Sequence, residues 1–202
     1  MSQTPSAKIL IVTGAPCAGK TTVAGRLARG LGAPLFTKDA IKERLFDAVG
    51  WGTPDLSRRL DEAAYSVLFH LAECEAAAGR TFVIESNFKP AKHSAPLRRM
   101  LDDNGAQAMQ VVCSCSVEVL RDRFRLRAER SDRHPGHCDA QLAQELPEVL
   151  ARGGYGFLDI PGERLELDTT DLDSVDYPAL LREARAFALR PSPHCPEGRG
   201  GG

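Results

Sequence analysis

The sequence predicts an α/β fold, an open sheet of parallel strands with helices on both faces, and two observations predict it. Short unbroken apolar runs alternate along the chain with longer stretches whose apolar residues recur three and four apart. That is the pattern of strands buried on both faces between amphipathic helices. The second observation is local: Gly14-Ala15-Pro16-Cys17-Ala18-Gly19-Lys20-Thr21 stands where the first apolar run gives way to the first helix-periodic stretch. A turn of that spelling is expected between a buried strand and a helix.

The elements follow in order. Lys8 to Thr13 (KILIVT) is a first strand, and Thr21 to Leu31 a helix with Val23, Leu27 and Leu31 on one face. Pro34 to Thr37 reads as a second strand, leading into a helix over about Ala40 to Val49. Gly50 to Pro54 breaks the pattern, and Leu60 to Ala78 keeps helical spacing as a long buried helix. Thr81 to Glu85 (TFVIE) is the third strand. A helix around Pro96 to Asp103 stops at Asn104-Gly105, a pair suited to a left-handed end. Ala108 to Cys115 is the fourth strand, and Ser116 is a natural N-cap for the helix after it, with Glu118 in its first turn. Between Ser131 and Gly156 a polar loop and a short helix near Ala140 to Leu150 are expected. Arg164 to Leu167 is the fifth strand, and Tyr177 to Leu189 a closing helix. This places one domain over residues 1–189 and a proline- and glycine-rich disordered tail over 190–202.

Bulk properties exclude several classes. The chain has 202 residues, of which 43% are hydrophobic and 26% charged, and its 26 basic and 27 acidic residues leave a net charge of −1. No global basic field exists to attract nucleic acid. The run Ile9 to Val12 is too short for a leader core or a membrane span, so a cytoplasmic protein is expected. Six cysteines, at 17, 74, 113, 115, 138 and 195, fit no zinc spacing and read as reduced thiols.

Gly14 to Thr21 matches G-x-x-x-x-G-K-[ST] in full, and the match implies a nucleotide phosphate site. Gly14 and Gly19 let the backbone turn tightly so that successive N–H groups point inward at a phosphate. The helix beginning near Lys20 adds its positive end, with Thr22 in the first turn. Lys20 reaches the β- and γ-phosphates, and the Thr21 hydroxyl suits the coordination sphere of Mg²⁺. A GTPase would carry an N-K-x-D motif and a transporter ATPase an L-S-G-G-Q-like signature; the chain has neither.

Two further features lie in register with this loop. Asp39 stands at the end of the second strand. The helix after the fourth strand places Arg123, Arg127 and Arg130 on one stripe at about 100° per residue, beside an apolar stripe of Val117, Leu120 and Phe124. The apolar stripe should pack on the sheet with these arginines along its margin, while Arg121 and Arg125 point to solvent. Arginines there can offset charge on transferring oxygens, or else form a solvated basic face.

GAPCAGKT, KDAIKERLFD at 38–47, VIESNF at 83–88, RFRLRAERSDRHPGH at 123–137 and LDTTD at 167–171 together resemble the zeta-toxin and chloramphenicol-phosphotransferase-like P-loop kinases, ATP-binding proteins of the AAA_33 type. The resemblance covers about residues 8 to 189. It implies the five-stranded parallel sheet of nucleoside-monophosphate-kinase-like proteins, with a lid over about 123–156, and ATP with Mg²⁺ as cofactors. It also implies that Asp39 is the base toward the substrate hydroxyl, that Arg123, Arg127 and Arg133 are lid arginines, and that Thr169 and Thr170 border the adenine. Asp39 has a competing role as N-cap of its helix.

The remaining candidates are substrate residues. Glu85 ends its strand and either accepts a substrate hydrogen bond, holds Mg²⁺ through water, or is a structural acid. Lys42 and Asn87 are cleft candidates or solvated side chains. His134 and His137 flank Pro135-Gly136 in the expected lid as turn residues or substrate contacts, with Gly136 supplying backbone freedom; beside Cys138 they lack the second ligand pair of a zinc site. The leading expectation is a kinase acting on a hydroxyl of a sugar, nucleoside or antibiotic, as a monomer or homodimer. A polynucleotide 5′-hydroxyl kinase is disfavoured by the 6% aromatic content. A regulatory nucleotide-binding module without an acceptor is the third reading.

Overall fold

The computed structural model describes residues 6–129, 134–137 and 154–191. Five parallel strands, β1 (Lys8–Gly14), β2 (Leu35–Thr37), β3 (Thr81–Glu85), β4 (Gln107–Ser114) and β5 (Glu163–Asp168), form one sheet in the order β2-β3-β1-β4-β5. Among the described residues six α-helices connect or flank them: α1 (Lys20–Leu31), α2 (Lys38–Val49), α3 (Pro54–Ala77), α4 (Pro90–Asn104), α5 (Val117–Glu129) and α6 (Tyr177–Leu189). β1 is central, with Ile9 level with Phe82 of β3 and Ala108 of β4. The chain fills one side of β1 with β2 and β3, then crosses to β4 on the other. The turn after β1 therefore opens at the point where the winding reverses, the usual ligand crevice of such sheets.

Strand alternation sorts the core into two layers. Ile9 and Ile11 pack with Phe82, Ile84, Leu68, Leu97 and Leu101 against α3 and α4. Leu10 and Val12 pack with Val83, Val23, Leu27, Leu180 and Phe187 against α1 and α6. All seven residues of β1 are buried, which is why its sequence is a continuous apolar run. β5 is one of the two edge strands, and its alternate residues Arg164, Glu166 and Asp168 are exposed.

Helix ends differ from the sequence expectation in three places. α4 begins at Pro90, six residues before the expected Pro96, which lies inside the helix. Pro90 occupies the first helical turn, where a missing N–H costs nothing, and the helix tolerates Pro96 in its middle at the loss of one internal bond. α3 begins at Pro54, capped by the Thr53 hydroxyl, which accepts from Leu56 N at 3.2 Å. α2 begins at Lys38, and its cap is Thr37, whose Oγ1 accepts from Ala40 N at 3.2 Å. Asp39 is therefore not the N-cap; it lies within the first turn. Ser116 does cap α5, its Oγ accepting from Val119 N at 3.3 Å. Arg130, Arg133, the helix expected near 140–150, Cys138 and the tail beyond residue 191 lie outside the described residues.

Candidate active site

The phosphate loop is shaped by conformations that ordinary residues resist. Gly14 has φ +145°, and a Cβ there would lie 2.3 Å from the Cys113 carbonyl oxygen of β4. Gly19 has φ +76° and precedes the first residue of α1. Cys17 also adopts a left-handed conformation, φ 64°, without being glycine, a strain found where a loop's form is fixed by function. Ala15, Pro16 and Cys17 are partly exposed and Ala18 is buried. Lys20 is buried and its Nζ donates to Ala15 O at 2.8 Å, so the side chain curls back over the loop it follows.

Glu85, at the end of β3, sits beside this loop. Its Oε2 accepts from the Thr21 hydroxyl at 3.1 Å, and only 5% of the residue is exposed. Burial pushes the Glu85 carboxyl above its ordinary value, with Lys20 opposing the shift. Burial also pushes the Lys20 ammonium down, with Glu85 foremost among the charges opposing that. A hard-oxygen pair, one member a desolvated carboxylate, is a donor set that suits Mg²⁺. Among the described residues no group of three or more His, Cys, Asp and Glu side chains could hold a metal by itself. Thr22 is exposed in the first turn of α1.

On the other side of β3 the head of α2 meets α3. Lys38 Nζ lies 2.8 Å from Asp39 Oδ1 and 2.8 Å from Asp61 Oδ1, and Lys42 Nζ lies 3.1 Å from Asp61 Oδ1. Both lysines are buried, so Lys42 is not a solvated side chain. Burial opposes the charge on Lys38, but the Asp39 and Asp61 carboxylates outweigh it and hold the ammonium above its ordinary value. Burial likewise opposes charge on Asp61, and Lys38 and Lys42 outweigh it, lowering that carboxyl. Four residues further along α3, the Tyr65 hydroxyl is 2.8 Å from Ser86 Oγ and 3.5 Å from Asn87 Oδ1. Burial pushes the Tyr155 hydroxyl up, with Asn87 opposing the shift. Behind Tyr65, His93 stacks on its ring at 4.3 Å and its Nδ1 accepts from Lys89 N at 2.8 Å. Burial pushes the His93 imidazole down to about 4, leaving Nε2 protonated, buried and without a hydrogen-bond partner among the described residues.

The loop after β5 braces the phosphate loop. Thr169 is fully buried, its hydroxyl 2.7 Å from both Ala18 O and Ser114 O. That side chain cannot border a base; its place is underneath the loop. Thr170 Oγ1 accepts from Ser116 N at 3.2 Å. Arg123 reaches the same segment, donating to the carbonyls of Thr169 at 2.8 Å and Thr170 at 3.1 Å. Arg127 stacks on Phe124, its guanidinium carbon 4.7 Å from the ring centre. Leu120 and Phe124 are buried as expected, and Arg121 and Arg125 are exposed; Val117, expected on the same apolar stripe, is 45% exposed at the first residue of α5. A cavity of about 350 Å³ lies beside Ala15, lined further by Ser114, Cys115, Tyr155, Phe157 and Glu166. Burial holds the Cys113 thiol up at about 12, so it is not a nucleophile.

His134 and His137 are docked on α2. His134 stacks on Phe46 at 5.0 Å with Nε2 3.3 Å from Asp47, and His137 is buried against the same ring with Nε2 2.8 Å from Glu43. Gly136 is required here for space, not freedom: a Cβ would come within 2.7 Å of the Phe46 ring. Sequence reasoning missed Lys38, Asp61, Tyr65 and Ser86. Asp61 and Tyr65 sit four apart on α3, a spacing that was visible, but nothing in the spacing says which strand end they face.

A phosphate loop at the winding reversal, a carboxylate beside its threonine and an acid at the head of the next helix define a P-loop kinase-like protein. The chain belongs to the AAA_33 family, described as an AAA domain, which matches residues 9–147. It is 35% identical to a "putative kinase" of Chloroflexus aurantiacus, with a TM-score of 0.83 covering 92% of this chain and 99% of that one. The fold is shared with the APS kinase of Mycobacterium tuberculosis solved with AMPPNP and APS, at 18% identity, a TM-score of 0.56 and coverage of 91% and 98%. A sugar kinase from a Janibacter species shares it at 17% identity, with a TM-score of 0.53 and coverage of 91% and 94%. Uncharacterized proteins of Mycobacterium tuberculosis and Mycobacterium bovis are 27% identical over 148 residues, 70% of this chain; the chain spans only 30% of their length.

Proposed function

We propose that the protein is an ATP- and Mg²⁺-dependent kinase that transfers the γ-phosphate to a hydroxyl of a small molecule. The observation that carries this reading is the 3.1 Å bond from the Thr21 hydroxyl to the buried Glu85 carboxylate. It sets a threonine and an acid side by side at the mouth of the phosphate loop, where a phosphate-bridging metal is needed. Thr21 and Glu85 would hold Mg²⁺, which when bound neutralises charge on the phosphate oxygens. Lys20 supplies the protein's own positive charge to the β- and γ-phosphates. Asp39, partly open to solvent at the head of α2, accepts the proton of the attacking hydroxyl. Lys42, Ser86 and Asn87 give the acceptor side the polar lining that a hydroxylated molecule recognises. Arg127, partly buried on the margin of α5, serves the phosphates, while Arg123 fixes the loop after β5.

Asp39→Asn tests the reading, because Thr37 and not Asp39 caps α2. The melting temperature should hold within a few degrees and the affinity for Mg·ATP should persist. Transfer from γ-labelled ATP into a pool of sugars, nucleosides and polyols should fall by about a hundredfold, the range for losing a positioned base. A fully active variant would move the base to Glu85.

A further inference from the structure

Asp61 carries a load that its position on a long helix does not explain. It sits two turns into α3, and one of its oxygens, Oδ1, meets two ammonium groups: Lys38 Nζ at 2.8 Å and Lys42 Nζ at 3.1 Å. The two lysines are four apart on α2 and each is only 7% exposed. Lys38 spends a second contact on Asp39 Oδ1, at 2.8 Å. The four charges thus form a chain, Asp39–Lys38–Asp61–Lys42, that ends at the acid of the proposed reaction. The same face of α3 continues to Tyr65, whose ring lies 5.8 Å below Lys38 Nζ and whose hydroxyl bonds Ser86 at the end of β3. Lys38 is therefore held from two sides and has little freedom to carry Asp39 elsewhere.

We infer that Asp61 is a positioning residue for phosphoryl transfer: through Lys38 it fixes the Asp39 carboxylate at the head of α2, and through Lys42 it ties that turn to α3. The inference rests on the reading of Asp39 as base. A buried ammonium needs a counter-charge. With Asp61 present, Lys38 and Lys42 share its charge, and Asp39 shares Lys38 with it. With Asp61 neutral, both lysines lose their common partner and Asp39 becomes the remaining carboxylate in the chain. It is then drawn into the ion pair, displaced from its place and made a weaker proton acceptor. Asp61 touches no phosphate in this scheme; it acts only through another residue.

A double-mutant cycle separates this from a structural role. Release of phosphate from Mg·ATP, with water as acceptor, is measured for wild type, Asp39→Asn, Asp61→Asn and the double variant, alongside melting temperature and calorimetric affinity for Mg·AMPPNP. Asp61→Asn alone should slow release by about tenfold or more, leave the affinity within about threefold, and be largely rescued by Asp61→Glu. In the Asp39→Asn background the same change should cost almost nothing in rate while still lowering the melting temperature, because the residue it acts through is gone. Additive rate losses, or a normal rate for Asp61→Asn, would overturn the inference and leave the kinase reading standing. A normal rate for Asp39→Asn would remove the base assignment itself. If Asp61→Asn does not fold, Lys38→Met cuts the same chain at the link between Asp61 and Asp39 and takes its place in the cycle, with the same outcomes deciding.

Discussion

Lys20 and His93 show how burial sets the chemistry of single residues in this protein. Lys20 is buried beside Glu85, so in the proposed reaction its charge would act on phosphate through a medium poor in water, where a charge-assisted contact is strong. Lys20→Ala should lower phosphoryl transfer by about a hundredfold or more at unchanged fold, read from turnover and circular dichroism. His93 works on stability instead. Its folded value is depressed to about 4 from the ordinary 6.5 by burial, so below pH 6.5 the unfolded chain takes up a proton that the folded chain refuses. Stability contributed by neutral His93 is therefore full above pH 6.5 and lost as pH falls toward 4. His93→Phe keeps the ring against Tyr65 and removes the proton. Its melting temperature should fall less than that of wild type between pH 6.5 and 4; parallel curves would show that His93 does not titrate in this window.

At the scale of elements, the strands and the phosphate loop were legible because their causes are local. β1 is apolar since both faces are buried, and the Gly14–Thr21 spelling answers backbone demands that Gly14 and Gly19 meet. The helix starts were less legible, because proline reads as a break from sequence although it is at home in a first turn, as at Pro54 and Pro90. The brace between β5 and the phosphate loop was illegible. Thr169 and Ala18 are 151 positions apart, and no local pattern announces that a hydroxyl from one will meet the carbonyl of the other. Thr169→Val keeps the shape and deletes the hydroxyl. It should cost about 1–3 kcal/mol of stability by denaturant titration, as expected for a buried polar contact left unmade. It should also weaken ATP binding by several-fold, since the loop loses its support. Unchanged affinity would mean that the loop holds its form without the brace.

On the scale of the whole molecule, the site is assembled along the carboxyl ends of the strands. The order β2-β3-β1-β4-β5 brings the heads of α1 and α2, the end of β3 and the loop after β5 together, though they span residues 14 to 170. The sequence suggested Lys20, Thr21, Asp39 and Glu85 individually, through motif and strand ends. It concealed that Asp39 is tied to α3 through Lys38 and Asp61, because that link exists only once α2 and α3 pack. Among the described residues no helix is long and apolar enough to cross a membrane. The central claim, transfer of phosphate to an alcohol, is tested most directly by incubating the protein with γ-labelled ATP, Mg²⁺ and a metabolite extract, then identifying labelled products by mass spectrometry. A labelled phosphomonoester of a small alcohol, absent with Lys20→Ala, is the predicted result. Label found only in inorganic phosphate, released at a rate that no added extract changes, would contradict it.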